Sequence, residues 1–209
     1  MISLTGAHRT GKTSLAKAYA EKHGITFVAT TASAVFKRLG LDPAKTYDFG
    51  TRLMVQSEIL KEFDVIWGQH SLEQAITDRC PIDLLGYTMA EAVGTAVKKK
   101  EIDRFERYVQ ECFDVLNKRF SVIVLVQPGI PIVKEKGKAA LNKAYIEHLN
   151  STMFGLMMDE RTRVAHYYIR RNMTDMDDRL SALENAVGKV DYAFKQDALA
   201  YRASGGVFH

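Results

Sequence analysis

Two cysteines, Cys80 and Cys112, are all that the 209 residues contain, and no C-x-x-C or histidine-rich pattern accompanies them. So sparse a set argues against a disulfide framework or a zinc site, and buried thiols are the expectation. Long apolar runs are absent too. No stretch approaches the roughly 18 uninterrupted apolar residues of a membrane span. The first residues have the pattern of a strand rather than a signal peptide, so a cytoplasmic protein without a membrane partner is expected. Internal repeats and low-complexity linkers are likewise missing, and a single domain over residues 1–209 suits the length. The surplus of positive charge is small, +4 with an isoelectric point near 9.0. That balance favours anionic ligands but falls short of a nucleic-acid signature.

What is present begins almost at the first residue, in "ISLTGAHRTGKTSLAKAYAEKHG". Gly6, four residues, then Gly11-Lys12-Thr13 satisfies G-x-x-x-x-G-K-[ST], with an apolar run before it and a helical pattern after it. Glycine lets such a loop turn with positive φ and bring its N–H groups against phosphate oxygens, while the helix N-terminus favours an anion. Gly6, His8, Arg9, Thr10, Gly11, Lys12, Thr13 and Ser14 are therefore the candidate nucleotide-binding residues. Lys12 would reach the β- and γ-phosphates, and the Thr13 hydroxyl would ligate Mg²⁺.

Further along, strands and helices alternate. "ITFVAT" (25 to 30) is a short strand, 31 to 40 a short helix, and "LDPAKTYD" a loop. An amphipathic helix is expected over about 50 to 67, with Leu53, Ile59, Leu60 and Phe63 at near-helical spacing. "EQAITDRCP" gives a strand ending in Asp78-Arg79, and Pro81 opens the next helix. A helix over 101 to 120 leads into "SVIVLVQP", a strand apolar on both faces and so internal to a parallel sheet. After a lysine-bearing loop, a helix from about Ala144, a strand at "HYYIRR" and a helix over 175 to 189 complete the pattern. The last twenty residues show none. This order argues an α/β fold: a parallel five-stranded sheet with helices on both faces, and ligand at the carboxyl ends of the strands.

A guanine-nucleotide switch needs N-K-x-D, and "NKAY" and "NKRF" both lack its aspartate. Taken together, "GAHRTGKTSLA", "TDRCPIDLLGY" and "VIVLVQP", in this order and spacing, resemble the small P-loop kinases. The likeness is greatest to the ribosylnicotinamide-kinase-like and deoxynucleoside-kinase-like group and the phage members near it, and it covers about residues 1 to 190. It implies a three-layer P-loop NTPase fold with a small lid, an activity that uses ATP and Mg²⁺, and a nucleoside or nucleotide-like acceptor. Asp78 then matches the acid that holds Mg²⁺ or its water, Arg79 the arginine on the transferring phosphate, and His8 a frequent loop histidine. Lys12, Asp78 and Arg79 are thus the catalytic candidates, with Thr13 and Asp78 at the metal.

Physical chemistry supports those roles independently: an acid ending a strand beside the loop is placed for a metal, and an adjacent arginine neutralises developing charge. A surface ion pair is the plainer alternative. The sequence departs from deoxynucleoside kinases after its second strand, where "VATTASAV" carries no acid. Either Asp78 or Asp83 is the general base, or the acceptor is already a phosphate, or it is a hydroxymethylated pyrimidine in DNA. Arg52 and Gln56, one turn apart, are the acceptor-reading candidates together with Asp83; a solvated polar face is the other reading. Lys134, Lys136 and Lys138 around Gly137 have the character of a lid over about 129 to 145, with Arg161 and Arg163 as competing lid arginines. Lys98 to Lys100 and Arg170-Arg171 would track phosphates if DNA were bound. An ATP-binding regulatory protein without a small acceptor is the third class. Whether the chain forms a homodimer is left open.

Overall fold

The computed structural model describes residues 1–70, 74–92, 97–131 and 142–203. Lys134, Lys136, Gly137 and Lys138 lie outside the described residues.

Five strands, β1 (Ile2–Thr5), β2 (Thr26–Val28), β3 (Ala75–Thr77), β4 (Val122–Val126) and β5 (Ala165–Ile169), pair in the order β2-β3-β1-β4-β5, and each of these pairings is parallel. Ser3 stands opposite Thr77 on one side and Ile123 on the other, so β3 stops short of the end of β1 while β4 runs alongside β1 to its end. β4 is buried along its whole length, as a strand between two neighbours and two helical layers requires.

Alternation along the strands divides the core between the two faces. Leu4, Ile76, Val122, Val124 and Val126 pack with Leu15, Ala16 and Tyr19 of α1 (Lys12–His23) and Leu180 and Leu183 of α7 (Met176–Ala203). Ile123 and Leu125 turn the other way. They join a cluster that includes Phe63 and Trp67 of α3 (Phe49–Gln69), Leu85 of α4 (Pro81–Ala92), Leu116 of α5 (Lys99–Arg119) and Met153 of α6 (Lys143–Met157), with the short α2 (Ser33–Arg38) packed on α3. Trp67, fully buried, meets Phe63 and Phe120 edge to face, and truncating it to alanine is expected to cost about 3–5 kcal/mol.

α3 begins where the 41–48 loop ends, because the Asp48 side chain caps it by accepting from the Thr51 amide at 2.9 Å. One expectation needs correction at the other end of the chain. α7 does not stop near residue 189 but continues to Ala203. Its buried apolar stripe is traced to Val190, which is why pattern alone falls silent there, yet residues 189–203 contain neither glycine nor proline and include four alanines.

Candidate active site

The loop between β1 and α1 takes its shape from three residues with positive φ: Gly6 (141°), Arg9 (63°) and Gly11 (84°). A Cβ on Gly6 would lie 2.7 Å from the Val126 carbonyl oxygen, so glycine there lets the loop leave β1 against the end of β4. α1 starts after Gly11 with no side-chain cap and no acid in its first turn. Its first N–H groups and its dipole are thus presented without a competing carboxylate, the arrangement that receives phosphate. Within the loop, Thr10 Oγ1 donates to the Ala7 carbonyl at 3.0 Å. Lys12 folds back to donate to the Gly6 and Ala7 carbonyls at 2.6 and 2.8 Å, and burial lowers its pKa while the nearby Asp83 carboxyl opposes that shift.

Thr13 and Asp78, 65 residues apart, are brought into direct contact: the hydroxyl donates to Asp78 Oδ2. Adjacent pairing of β1 and β3 does this, since Asp78 is the first residue after β3 and Thr13 the second of α1. The pair offers a hydroxyl and a carboxylate, the hard-oxygen ligands that Mg²⁺ takes when substrate phosphates supply the rest. Among the described residues no cluster of three or more His, Cys, Asp or Glu side chains suits a metal. Arg79, the next residue, is exposed.

Asp83 is not in the acceptor pocket where the sequence put it. It is 3% exposed and lies behind the loop, where Oδ1 accepts from the Gly6 amide at 3.2 Å and Oδ2 from the Cys80 amide at 3.0 Å. The second bond is the return half of a capping box, from the third residue of α4 to the residue before it. Burial raises the Asp83 pKa and Lys12 opposes the shift. With both oxygens committed, this carboxylate positions two loops and is removed as a candidate general base. Cys80 and Cys112 are buried and their thiols are pushed up by desolvation, as expected of structural cysteines.

Arg52 and Gln56 lie on the first two turns of α3. Arg52 is held by Glu91 of α4 (Nε to Oε2, 3.2 Å) and donates from Nη2 to the Lys45 carbonyl at 3.0 Å, with Tyr47 beneath its guanidinium. Gln56 Oε1 is buried without a hydrogen-bond partner among the described residues. His8 joins this side of the site to the loop. Its Nδ1 is 3.3 Å from the Tyr87 hydroxyl, and its ring centroid is 6.0 Å from that of Tyr145. Burial raises the pKa of Tyr87, Tyr145 and Glu91, with Arg52 opposing the shift at Glu91. Sequence reasoning passed over Tyr87, Glu91 and Tyr145; the available signal was the i, i+4 spacing of Tyr87 and Glu91 on the helix that follows Asp78-Arg79.

Two lid candidates are corrected. Arg161 and Arg163 precede β5 and so lie at the amino ends of the strands, away from the loop, where Arg161 chelates Asp159 at 2.8 and 2.7 Å. Arg171 is at the loop end of β5 but is engaged bidentately by Glu147 at 2.6 Å on both arms.

A family model described as an AAA domain matches residues 1–128. The chain belongs to this AAA domain family. The matched segment carries the phosphate loop, Asp78-Arg79 and β4. No curated protein matches the chain. Among solved structures it is similar to deoxyadenosine kinase from M. mycoides with bound dCTP, with a TM-score of 0.64 and 13% identity over 90% of this chain and 98% of that one. It is also similar to NadR protein in complex with NR, with a TM-score of 0.64 and 12% identity over 90% of this chain and 50% of that one. At that identity the likeness establishes the fold, that of a small P-loop kinase.

Proposed function

We propose that this AAA-family protein is an ATP- and Mg²⁺-dependent phosphotransferase whose acceptor is an uncharged, nucleoside-like small molecule. The observation that carries the reading is the contact between Thr13 and Asp78 beside an uncapped helix N-terminus with Lys12 at hand. That set serves phosphoryl transfer, in which positioning and charge neutralisation are most of the work. Mg²⁺, when bound, would supply charge neutralisation across the β- and γ-phosphates. Lys12 leaves the loop carbonyls for the phosphates, and Arg79, exposed next to Asp78, reaches toward the transferred group.

Arg52 bears on the acceptor's charge. It is already matched by Glu91, so an acceptor phosphate would have to displace a carboxylate, whereas a neutral ring that pairs with the Gln56 amide would not. The same neutrality favours a nucleoside over a nucleoside monophosphate. An acceptor hydroxyl also needs a proton acceptor, and Asp83, whose two oxygens accept from the Gly6 and Cys80 amides, is poorly placed for that part. A DNA substrate is less favoured because Arg171, one of the five basic residues it would use, is tied to Glu147.

The test is a transfer screen with labelled ATP against nucleosides, nucleoside monophosphates, ribosylnicotinamide and hydroxymethylated oligonucleotide, with Lys12→Ala as the control. Transfer to a nucleoside-like acceptor, abolished in a folded Lys12→Ala protein, is expected. Acceptor-independent hydrolysis alone would replace the kinase reading with a regulatory ATPase.

A further inference from the structure

Arg179 is a charge that the fold does not balance. It is 2% exposed, on the first turns of α7, and donates from Nη1 to the Thr10 carbonyl at 2.9 Å and from Nε to the Met173 carbonyl at 2.8 Å. Nη2 is buried with no hydrogen-bond partner among the described residues. Among the described residues no carboxylate pairs with the guanidinium, and burial alone acts on its pKa, downward. Buried arginines are ordinarily paired, because an uncompensated ion in the interior is destabilising. A methionine or leucine would fill this place without that penalty.

The surroundings make the imbalance worse. Arg179 lies against the N-terminus of α1, a positive dipole end: Nη1 is 2.9 Å from where a Cβ on Gly11 would stand, while the start of its own helix is capped by Asp175 and carries Asp177 and Asp178. Lys12 follows Gly11 directly. Three sources of positive potential thus gather around the loop: the start of α1, Lys12 and Arg179. An anion of high charge would relieve all three at once. The bond to Thr10 also has a geometric consequence. In a trans peptide the C=O and the next N–H point opposite ways, so fixing the Thr10 carbonyl on Arg179 directs the Gly11 amide away from it.

Building on the reading that the loop holds ATP, we infer that Arg179 is a positioning residue of the phosphate site, a buried cation whose partner is the nucleotide's polyphosphate. It orients the Thr10–Gly11 peptide as a phosphate donor and adds a charge that is matched only on binding. Through it, α7, 169 residues along the chain from Thr10, becomes part of the nucleotide site.

The experiment titrates Mg-ATP and Mg-tripolyphosphate into wild type, Arg179→Gln, Arg179→Met and Arg179→Lys by calorimetry, with circular dichroism to confirm folding. The two neutral variants are alternatives, and whichever folds decides. The expected result is a loss of about tenfold or more for both ligands in the neutral variants, with partial recovery in Arg179→Lys. Tripolyphosphate has no base or ribose, so a residue that only shapes the base side would spare it. Tripolyphosphate affinity within about twofold of wild type in a folded neutral variant would overturn the inference. So would equal losses in Arg179→Lys and the neutral variants, which would mark Arg179 as a matter of shape rather than charge. If wild type itself binds neither ligand, the ATP reading fails first and the role of Arg179 with it.

Discussion

Asp83→Asn separates the two loops that one carboxylate now joins. The wild-type side chain receives the Gly6 amide on one oxygen and the Cys80 amide on the other. Asparagine has one acceptor oxygen, so its NH₂ must face one of those two donors, and a buried N–H loses its partner at about 1–3 kcal/mol. Removing a desolvated carboxyl returns part of this, and Lys12 loses the acid that opposes its own desolvation. A net destabilisation of about 2 kcal/mol corresponds to a fall in Tm of about 4–8 °C for a chain of 209 residues. The sign of the pH dependence follows from the shift. Asp83 has a folded pKa above its unfolded value, so the folded state binds the proton more tightly. Its contribution to stability is greatest at acid pH and declines as pH rises from about 4 through the raised value. Asparagine has no such dependence, and the gap between the two proteins should narrow toward neutrality. Differential scanning calorimetry across pH measures the gap, and steady-state kinetics should show kcat/KM lower by about tenfold or more, because Gly6 and Asp78-Arg79 are no longer held in register. A Tm within about 1 °C of wild type and kcat/KM within about twofold would refute the positioning role.

Gly6→Ala places a Cβ 2.7 Å from the Val126 carbonyl at a φ of 141°, and should lower urea-unfolding stability by about 3 kcal/mol or more while abolishing nucleotide binding; a well-folded, ATP-binding variant would contradict the described loop. Asp78→Asn is expected to raise the Mg²⁺ requirement and lower turnover, whereas Arg79→Lys lowers turnover with little change in ATP affinity; small, equal effects in a Mg²⁺ titration would favour a surface pair. Glu91→Gln releases Arg52 from its carboxylate and should improve kcat/KM for a monophosphate acceptor relative to the nucleoside by about tenfold, and an unchanged ratio in a competition assay would mean that Arg52 does not meet the acceptor.

The loop from Gly6 to Thr13 was legible because its pattern is local. Gly6, Gly11, Lys12 and Thr13 sit within eight consecutive residues, and their spacing encodes a loop and a helix start at once. The strand at 122–126 and the parallel order of the sheet were legible for a similar reason, since an uninterrupted apolar run has few other places to go. What failed depended on distance. Asp83 looks like an acid near the acceptor when read along the chain, and only the pairing of β1 with β3 turns it toward Gly6. Arg161 and Arg163 followed a helix, as lid arginines do, but a parallel strand that begins after them puts them at the opposite end of the sheet. Arg179 carried no signal at all. It lies in an ordinary amphipathic helix, and its burial against Thr10 appears only when α7 docks beside α1.

The sheet separates what the reaction must bring together. α1 and α7, with Arg179, pack on one face, and α3 and α4, with Arg52, Gln56 and Glu91, pack on the other. Among the described residues, side-chain links cross between the halves at the carboxyl ends of β1 and β3: Thr13 meets Asp78, Gly6 is held by Asp83, and His8 meets Tyr87. A loop with these partners moves little without moving them, so on the proposed reading polyphosphate bound there would be sensed on the acceptor side. Nucleotide binding should accordingly alter the surroundings of Tyr87 and Tyr145 before any acceptor is present, because His8 stands between them and the phosphates.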